Sequence, residues 1–181
     1  MSKLYKKVEQ FINNSFIKAG REDSIKHFER TVYWIEQLKP NADEALLISG
    51  IAHDIERAFH GDWVKGSIEQ GVLRKHQELS AKEITKFLEK EKIKKDVIER
   101  VAMLISHHEE GGNEDQNILK DADCVSYFEN QALRHVKTWQ QKGKNKEQIK
   151  NKFDYTFNKI TSKKAESIAQ PMYEQALRSL E

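Results

Sequence analysis

Proline is nearly absent from this chain, and the gaps between its apolar residues are almost everywhere three or four. Only Pro40 and Pro171 occur in 181 residues, so few positions forbid a helical hydrogen bond. Leu4, Val8, Phe11, Ile12 and Phe16 form one apolar stripe, and Val32, Ile35 and Leu38 form another. That spacing turns one helix face toward a core. No stretch sustains the alternation of a strand. The expectation is an all-α helical bundle without a sheet.

Turn chemistry divides the stripes. Asp23 or Ser24 can cap a helix that carries His27 and ends near Lys39 and Pro40. Asn41 or Asp43 can open the next, which runs through Ala45, Leu46, Ile48 and Ile51 to the doublet His53-Asp54. Between about Phe59 and Arg74 the periodicity lapses, and Gly61, Gly66 and Gly71 supply turn residues. This segment is expected to be an ordered loop or short-helix lid over a site. Helical spacing resumes after His76 through Leu79, Ile84, Phe87 and Leu88, and again from Val97 to Ile105, arriving at His107-His108. Glu109-Glu110-Gly111-Gly112 breaks that helix, Ile118 to Asp123 opens another, and a last helix is expected near Gln170 to Leu180. With no repeat and no shift in composition, residues 1–181 read as one domain.

The charges nearly cancel, with a formal net of +2. No strong field for a nucleic-acid polymer or a membrane surface follows from that balance. The basic run from Lys137 to Lys152 reads as a solvated helix face and loop. The single cysteine, Cys124, permits no internal disulfide and points to a reducing compartment. No apolar run reaches the roughly 18 residues of a membrane span, and the first residues pattern as an amphipathic helix rather than a signal peptide. The expected location is cytoplasmic.

The residues that carry chemistry are histidines and aspartates strung along these helices: His27, His53, Asp54, His76, His107, His108 and Asp123. Imidazoles and carboxylates are the donors from which Zn, Mn, Fe or Ni sites are built. Taken singly, each has a bland reading; a double histidine before a glycine-rich turn suits the cation preference of a helix end. Taken together, His27, His53, Asp54 and Asp123 suffice for one ion. His76, His107 and His108 suit a second ion that shares Asp54 as a bridge. Two such ions can stabilise both the attacking and the leaving oxygen of a phosphoester displacement. Asp121 is a rival for Asp123: two residues apart on a helix, their carboxylates face nearly opposite ways, so only one reaches a common site.

This order resembles that of the HD superfamily of metal-dependent phosphohydrolases, named for the doublet seen here at His53-Asp54. HFERTVYWIEQL resembles its first-histidine helix and LLISGIAHDIERAF the helix bearing the doublet. KHQELSAKEI and LISHHEEGG resemble the histidine segments of its two-metal members, and LKDADCVSYFE the helix with the closing aspartate. The resemblance covers His27 to Phe128 and favours Asp123, the aspartate after the alanine, as the ligand. It implies an HD core of about residues 24–130 with C-terminal helices 131–181 packed on it. It also implies one or two divalent ions (Mn, Fe, Ni, Zn or Mg) and a bound hydroxide that attacks phosphorus. Arg57, one turn past Asp54, would then steady a phosphate oxygen, and Glu56 would support a ligand or carry a proton.

The expected substrate is a nucleotide or another small phosphorylated metabolite. The run HHEEGGNEDQN lacks the Gly-Tyr-Pro segment of the cyclic-dinucleotide branch, and Glu56-Arg57 replaces the acidic pair of the guanosine tetraphosphate hydrolases. Two other readings stand beside the hydrolase: a di-iron oxygenase on the same fold, and a metal-containing regulatory module without turnover. Outside the pattern, His60 reads as solvated and His135 as structural. Trp34, Tyr127, Phe128 and Trp139 read as core, and Trp63 as a loop aromatic able to stack on a nucleobase.

Overall fold

Five helices begin where a short polar side chain takes up a backbone N–H that the first turn leaves without a partner. Ser2, Asp43, Asn113, Asn145 and Ser162 accept from Tyr5, Leu46, Gln116, Gln148 and Ala165, respectively. At Asn113 and Asn145 the bond is returned, because Gln116 and Gln148 accept the N–H of the capping residue. The computed structural model describes residues 1–61, 63 and 66–181. Their helices are α1 (Lys3–Lys18), α2 (Ile25–Leu38), α3 (Glu44–Ala52), α4 (Arg57–His60), α5 (Gln70–Lys90) and α6 (Lys95–Ile105), then α7 (Glu114–Asn130), α8 (Ala132–Gln141), α9 (Lys146–Asn158) and α10 (Lys163–Arg178). A 3-10 turn, Glu22–Ser24, precedes α2, and no strand occurs among the described residues. The all-α expectation holds.

Several boundaries differ from the sequence reading. α5 begins at Gln70, so His76 lies inside a helix rather than before one. Gly71 belongs to its first turn, where a glycine forfeits little, and so its turn signal misleads. α7 begins at Glu114 through the Asn113 cap, ahead of the apolar residues that announced it. α10 begins at Lys163 and carries Pro171 in its interior. Proline there removes one helical hydrogen bond, while Ala165, Ala169 and Ala176 stay buried along the same helix.

The apolar residues gather in two clusters joined by α7. Tyr5, Val8, Ile12 and Phe16 of α1 pack with Phe28, Val32, Ile35, Leu46, Ile51, Ile84, Leu104 and Leu119. Val125, Phe128, Val136, Trp139, Ile149, Phe153 and Ala169 form the second cluster, and Trp34 and Leu38 touch both. α7 gives Ala122 to the first and Val125 to the second, so Asp123 emerges at the seam. Among the described residues no helix is long and apolar enough to cross a membrane. Cys124 is a free, buried core residue.

Two close approaches fix the site's frame. α3 lies against α2 at Gly50, where an added Cβ would come within 2.6 Å of Ile35 Cδ1 and 3.2 Å of Val32 Cγ2. Of the expected lid, residues 62, 64 and 65 lie outside the described residues. Its described part is tied to the C-terminal helices: Lys152 Nζ donates to the Ser67 carbonyl at 3.2 Å, and Gln70 donates to the Tyr155 hydroxyl at 3.3 Å.

Candidate metal centre

α2, α3, α5, α7 and the turn after α6 each deliver one part of a buried cluster. His27 comes from the first turn of α2, His53 from the C-cap of α3 with Asp54 just after it, and His76 from the second turn of α5. His108 comes from the turn that follows α6, and Asp123 from the middle of α7. Single ligand atoms of His27, His53 and Asp54 lie within 4.8 Å of one another, and so do those of Asp54, His76 and His108. Asp54 belongs to both triads. Asp123 Oδ1 adds itself to the first, 3.1 Å from His27 Nε2 and 3.4 Å from His53 Nε2.

The four imidazoles share one orientation. Each Nδ1 faces an acceptor: Ser126 Oγ for His27 at 2.8 Å, the Gly50 carbonyl for His53 at 2.9 Å, Glu56 Oε1 for His76 at 2.7 Å, and the Ile105 carbonyl for His108 at 2.7 Å. A carbonyl or carboxylate accepts only, so the proton sits on Nδ1 for His53, His76 and His108. Ser126 spends its own proton on the His27 carbonyl at 2.8 Å and therefore accepts from His27 Nδ1. Every Nε2 then points inward; those of His76 and His27 meet Asp54 and Asp123 at 2.8 and 3.1 Å, and a proton shared there is the one that a bound ion would displace. Histidine ligands are oriented in this way, with the outer N–H held by a carbonyl, carboxylate or hydroxyl. Nε2 of His53 and of His108 are buried without a hydrogen-bond partner among the described residues. Such orphans carry a desolvation cost, and a bound cation offsets it. The donor set fits a divalent transition metal.

Electrostatics follow the packing. Burial works to raise the Asp54 pKa, but Arg57, 3.0 Å away, and the imidazoles hold it well below the usual carboxylate range. Asp123 is likewise held low against burial by His27, His53 and Lys159. Burial lowers His53, yet Asp54 and Asp123 outweigh it and bring His53 up to about 9. His76 is raised in the same sense by Asp54 and Glu56. His108, with burial and neighbouring imidazoles both against its charged form, falls to about 4.

His107 is not brought together with these residues. It is half-buried, its Nδ1 turns back to the Met103 carbonyl at 3.1 Å, and it belongs to neither triad. Consecutive residues of a turn point in different directions, so only one of the pair faces the cluster. Asp121 is buried but committed elsewhere. It accepts from the backbone N–H groups of Thr161 and Ser162, each at 2.8 Å, at the start of α10. Asp121 and Asp123 do face opposite sides of α7.

A cavity of about 50 Å³ opens beside the triads, with His27, Asp54, Arg57 and Asp123 in its wall. Lys152 of α9, Lys159 at its C-cap and Glu109 also line it. Lys159 pairs with Glu109 at 2.6 Å and lies 3.8 Å from Asp123 Oδ2. None of Lys152, Lys159, Glu109 and Ser126 reads from the sequence as a site residue: Glu109 reads as part of a helix-breaking run and Lys152 as the end of a solvated one. The spacing of Lys152 and Lys159, two turns apart on one helix face, was the available signal. His135 stacks on Trp139 with ring centroids 4.4 Å apart, and both line the same cavity. Trp63 is exposed at its ring while its Nε1 donates to Glu56 at 3.1 Å, and His60, also exposed, turns to Glu83.

No curated protein and no solved structure matches this chain significantly. A family model described as a domain of unknown function, DUF4202, matches residues 13–180. The match takes in the whole cluster from His27 to Asp123 and the lysines of α9, and the chain belongs to the DUF4202 family.

Proposed function

We propose that this protein is a metal-dependent phosphohydrolase acting on a nucleotide or another small phosphorylated metabolite. The observation that carries this reading is the position of Asp54, shared by two triads of inward-facing donors and flanked by Arg57. His27, His53 and Asp123 would hold one divalent ion, His76 and His108 a second, and Asp54 would bridge them. Bound there, the ions would supply Lewis acidity toward a phosphoester and an activated water. The order of these residues also resembles that of the HD superfamily, whose members hydrolyse phosphoesters with such sets.

The chain's own groups do the rest. Nδ1 contacts at Ser126, Gly50, Glu56 and Ile105 fix the imidazoles before any ion arrives, so little reorganisation is needed. Arg57, whose Nη1 is 3.0 Å from Asp54 Oδ2, would hold a phosphate oxygen beside the shared carboxylate. The cationic wall of Arg57, Lys152 and Lys159 favours an anionic substrate over a neutral one.

Elemental mass spectrometry of the purified protein, paired with phosphate release from a nucleotide panel, tests the reading. About two equivalents of metal and metal-dependent release are expected, with both lost in Asp54→Ala. Bound iron with no phosphate release would shift the assignment to an oxygenase, and full turnover by Asp54→Ala would overturn the mechanism.

A further inference from the structure

Among the described residues three cations, Arg57, Lys152 and Lys159, face the cavity, and two of them are already matched. Arg57 lies 3.0 Å from Asp54, and Lys159 lies 2.6 Å from Glu109. Lys152 differs: among the described residues it makes no ion pair, its Nζ donates to the Ser67 carbonyl at 3.2 Å, and the Tyr155 ring centroid is 5.2 Å away. A neutral carbonyl leaves an ammonium's charge uncompensated. Burial pushes the Lys152 pKa down to about 8, against the pull of Glu109. Lys152 is half-buried, and an anion beside it would offset the desolvation of its ammonium. Lys152 and Thr156 fall on one face of α9, which the C-cap residue Lys159 continues, and all three line the cavity.

Resting on the phosphohydrolase reading, we propose that Lys152 receives a second phosphate of the substrate, so that the protein acts on small metabolites bearing at least two phosphate groups. The first phosphate meets Arg57 and the Asp54 cluster; the second meets Lys152, with Lys159 beside it. At about 50 Å³ the cavity has room for roughly three or four waters.

Calorimetric titration of the purified full chain with propylphosphonate, 3-phosphonopropionate and propane-1,3-bisphosphonate tests the proposal without requiring turnover. The bisphosphonate is expected to bind at least about tenfold more tightly than propylphosphonate, as one added charge-assisted contact implies. Lys152→Met should collapse that ratio to within about twofold, and Lys152→Arg should restore most of it. A wild-type ratio near one, a ratio unmoved by Lys152→Met, or equal binding of the carboxylate-bearing probe would overturn the proposal. A protein that keeps the ratio but releases phosphate from no ester retains the subsite and loses the hydrolase reading. One that cleaves monoesters with a ratio near one loses the subsite alone.

Discussion

Glu56 holds His76 from behind: its Oε1 accepts the imidazole Nδ1–H at 2.7 Å, and both side chains are fully buried. The other carboxylate oxygen accepts from Trp63 Nε1 at 3.1 Å, so Glu56 cannot swing away without breaking two bonds. The carboxylate thus fixes the His76 tautomer and directs Nε2 at Asp54, 2.8 Å away. Removing such an outer contact typically costs 10- to 100-fold in metal affinity. Glu56→Ala should show a loss of that size for the ion held by His76 and His108, measured by competition with a chelating dye. Glu56→Gln, which still offers an oxygen, should retain affinity within several-fold. Equal losses in the two variants would mean that charge, not orientation, is the contribution of Glu56.

The two aspartates of α7 separate structure from chemistry. Asp121 caps the start of α10 through Thr161 and Ser162, while Asp123 faces His27 and His53. Asp121→Asn presents an amide N–H to donors that now meet an anion, and should lower unfolding stability by about 2–3 kcal/mol. Its metal content should be unchanged. Asp123→Asn should abolish binding of the first ion. Denaturant unfolding and elemental analysis of both variants would check the pair, and loss of metal in Asp121→Asn would reverse the assignment.

Protonation gives the metal-free protein a stability maximum near pH 6.5. His108 sits at about 4 when folded and 6.5 when unfolded, so stability present above 6.5 is lost as pH falls toward 4. The span corresponds to a loss on the order of 3 kcal/mol. His53 runs the other way: raised to about 9, it contributes fully below 6.5 and loses that contribution as pH rises through 9. Metal reverses the upper limb, since an ion must displace the His53 proton. Affinity should therefore rise between pH 6.5 and 8, a window below the titration of Lys152 at about 8. Thermal melts from pH 4 to 8, with and without added Zn or Mn, would show it; a metal-free curve flat above 6.5 would contradict it.

A helix start was legible where a capping residue stood directly before an apolar stripe, as at Asp43 with Leu46 and Ile48, and was missed where polar residues followed the cap, as after Asn113 and Ser162. The buried donor cluster was legible because histidines and aspartates are chemically distinctive and the His53-Asp54 doublet closes an apolar helix. The cationic wall was not. Within the run ending at Lys152 that lysine looks like its solvated neighbours; only its seven-residue spacing from Lys159 hinted at a shared face, which the packing of α9 turns inward. The choice between His107 and His108 was hidden for a related reason: the turn after α6 sets which ring faces Asp54, and a turn has no period to read.

Gly50 lets α2 and α3 meet, and its carbonyl also anchors His53 Nδ1 at 2.9 Å. In an exposed helix, glycine to alanine would stabilise by about 1 kcal/mol through propensity. Here the new methyl would strike Ile35 Cδ1 at 2.6 Å and Val32 Cγ2 at 3.2 Å, within a filled core. Overpacking of this kind costs about 1–3 kcal/mol, so the clash wins and Gly50→Ala should destabilise. Because the carbonyl must shift with α3, metal affinity should fall too. Ile35→Val removes the clashing Cδ1, so the double variant should recover much of the loss rather than add to it. Chemical denaturation of the two single variants and the double would decide. Simple additivity, or a Gly50→Ala protein more stable than the parent, would show that α2 and α3 have slack at this crossing and that the His27–His53 spacing is set elsewhere.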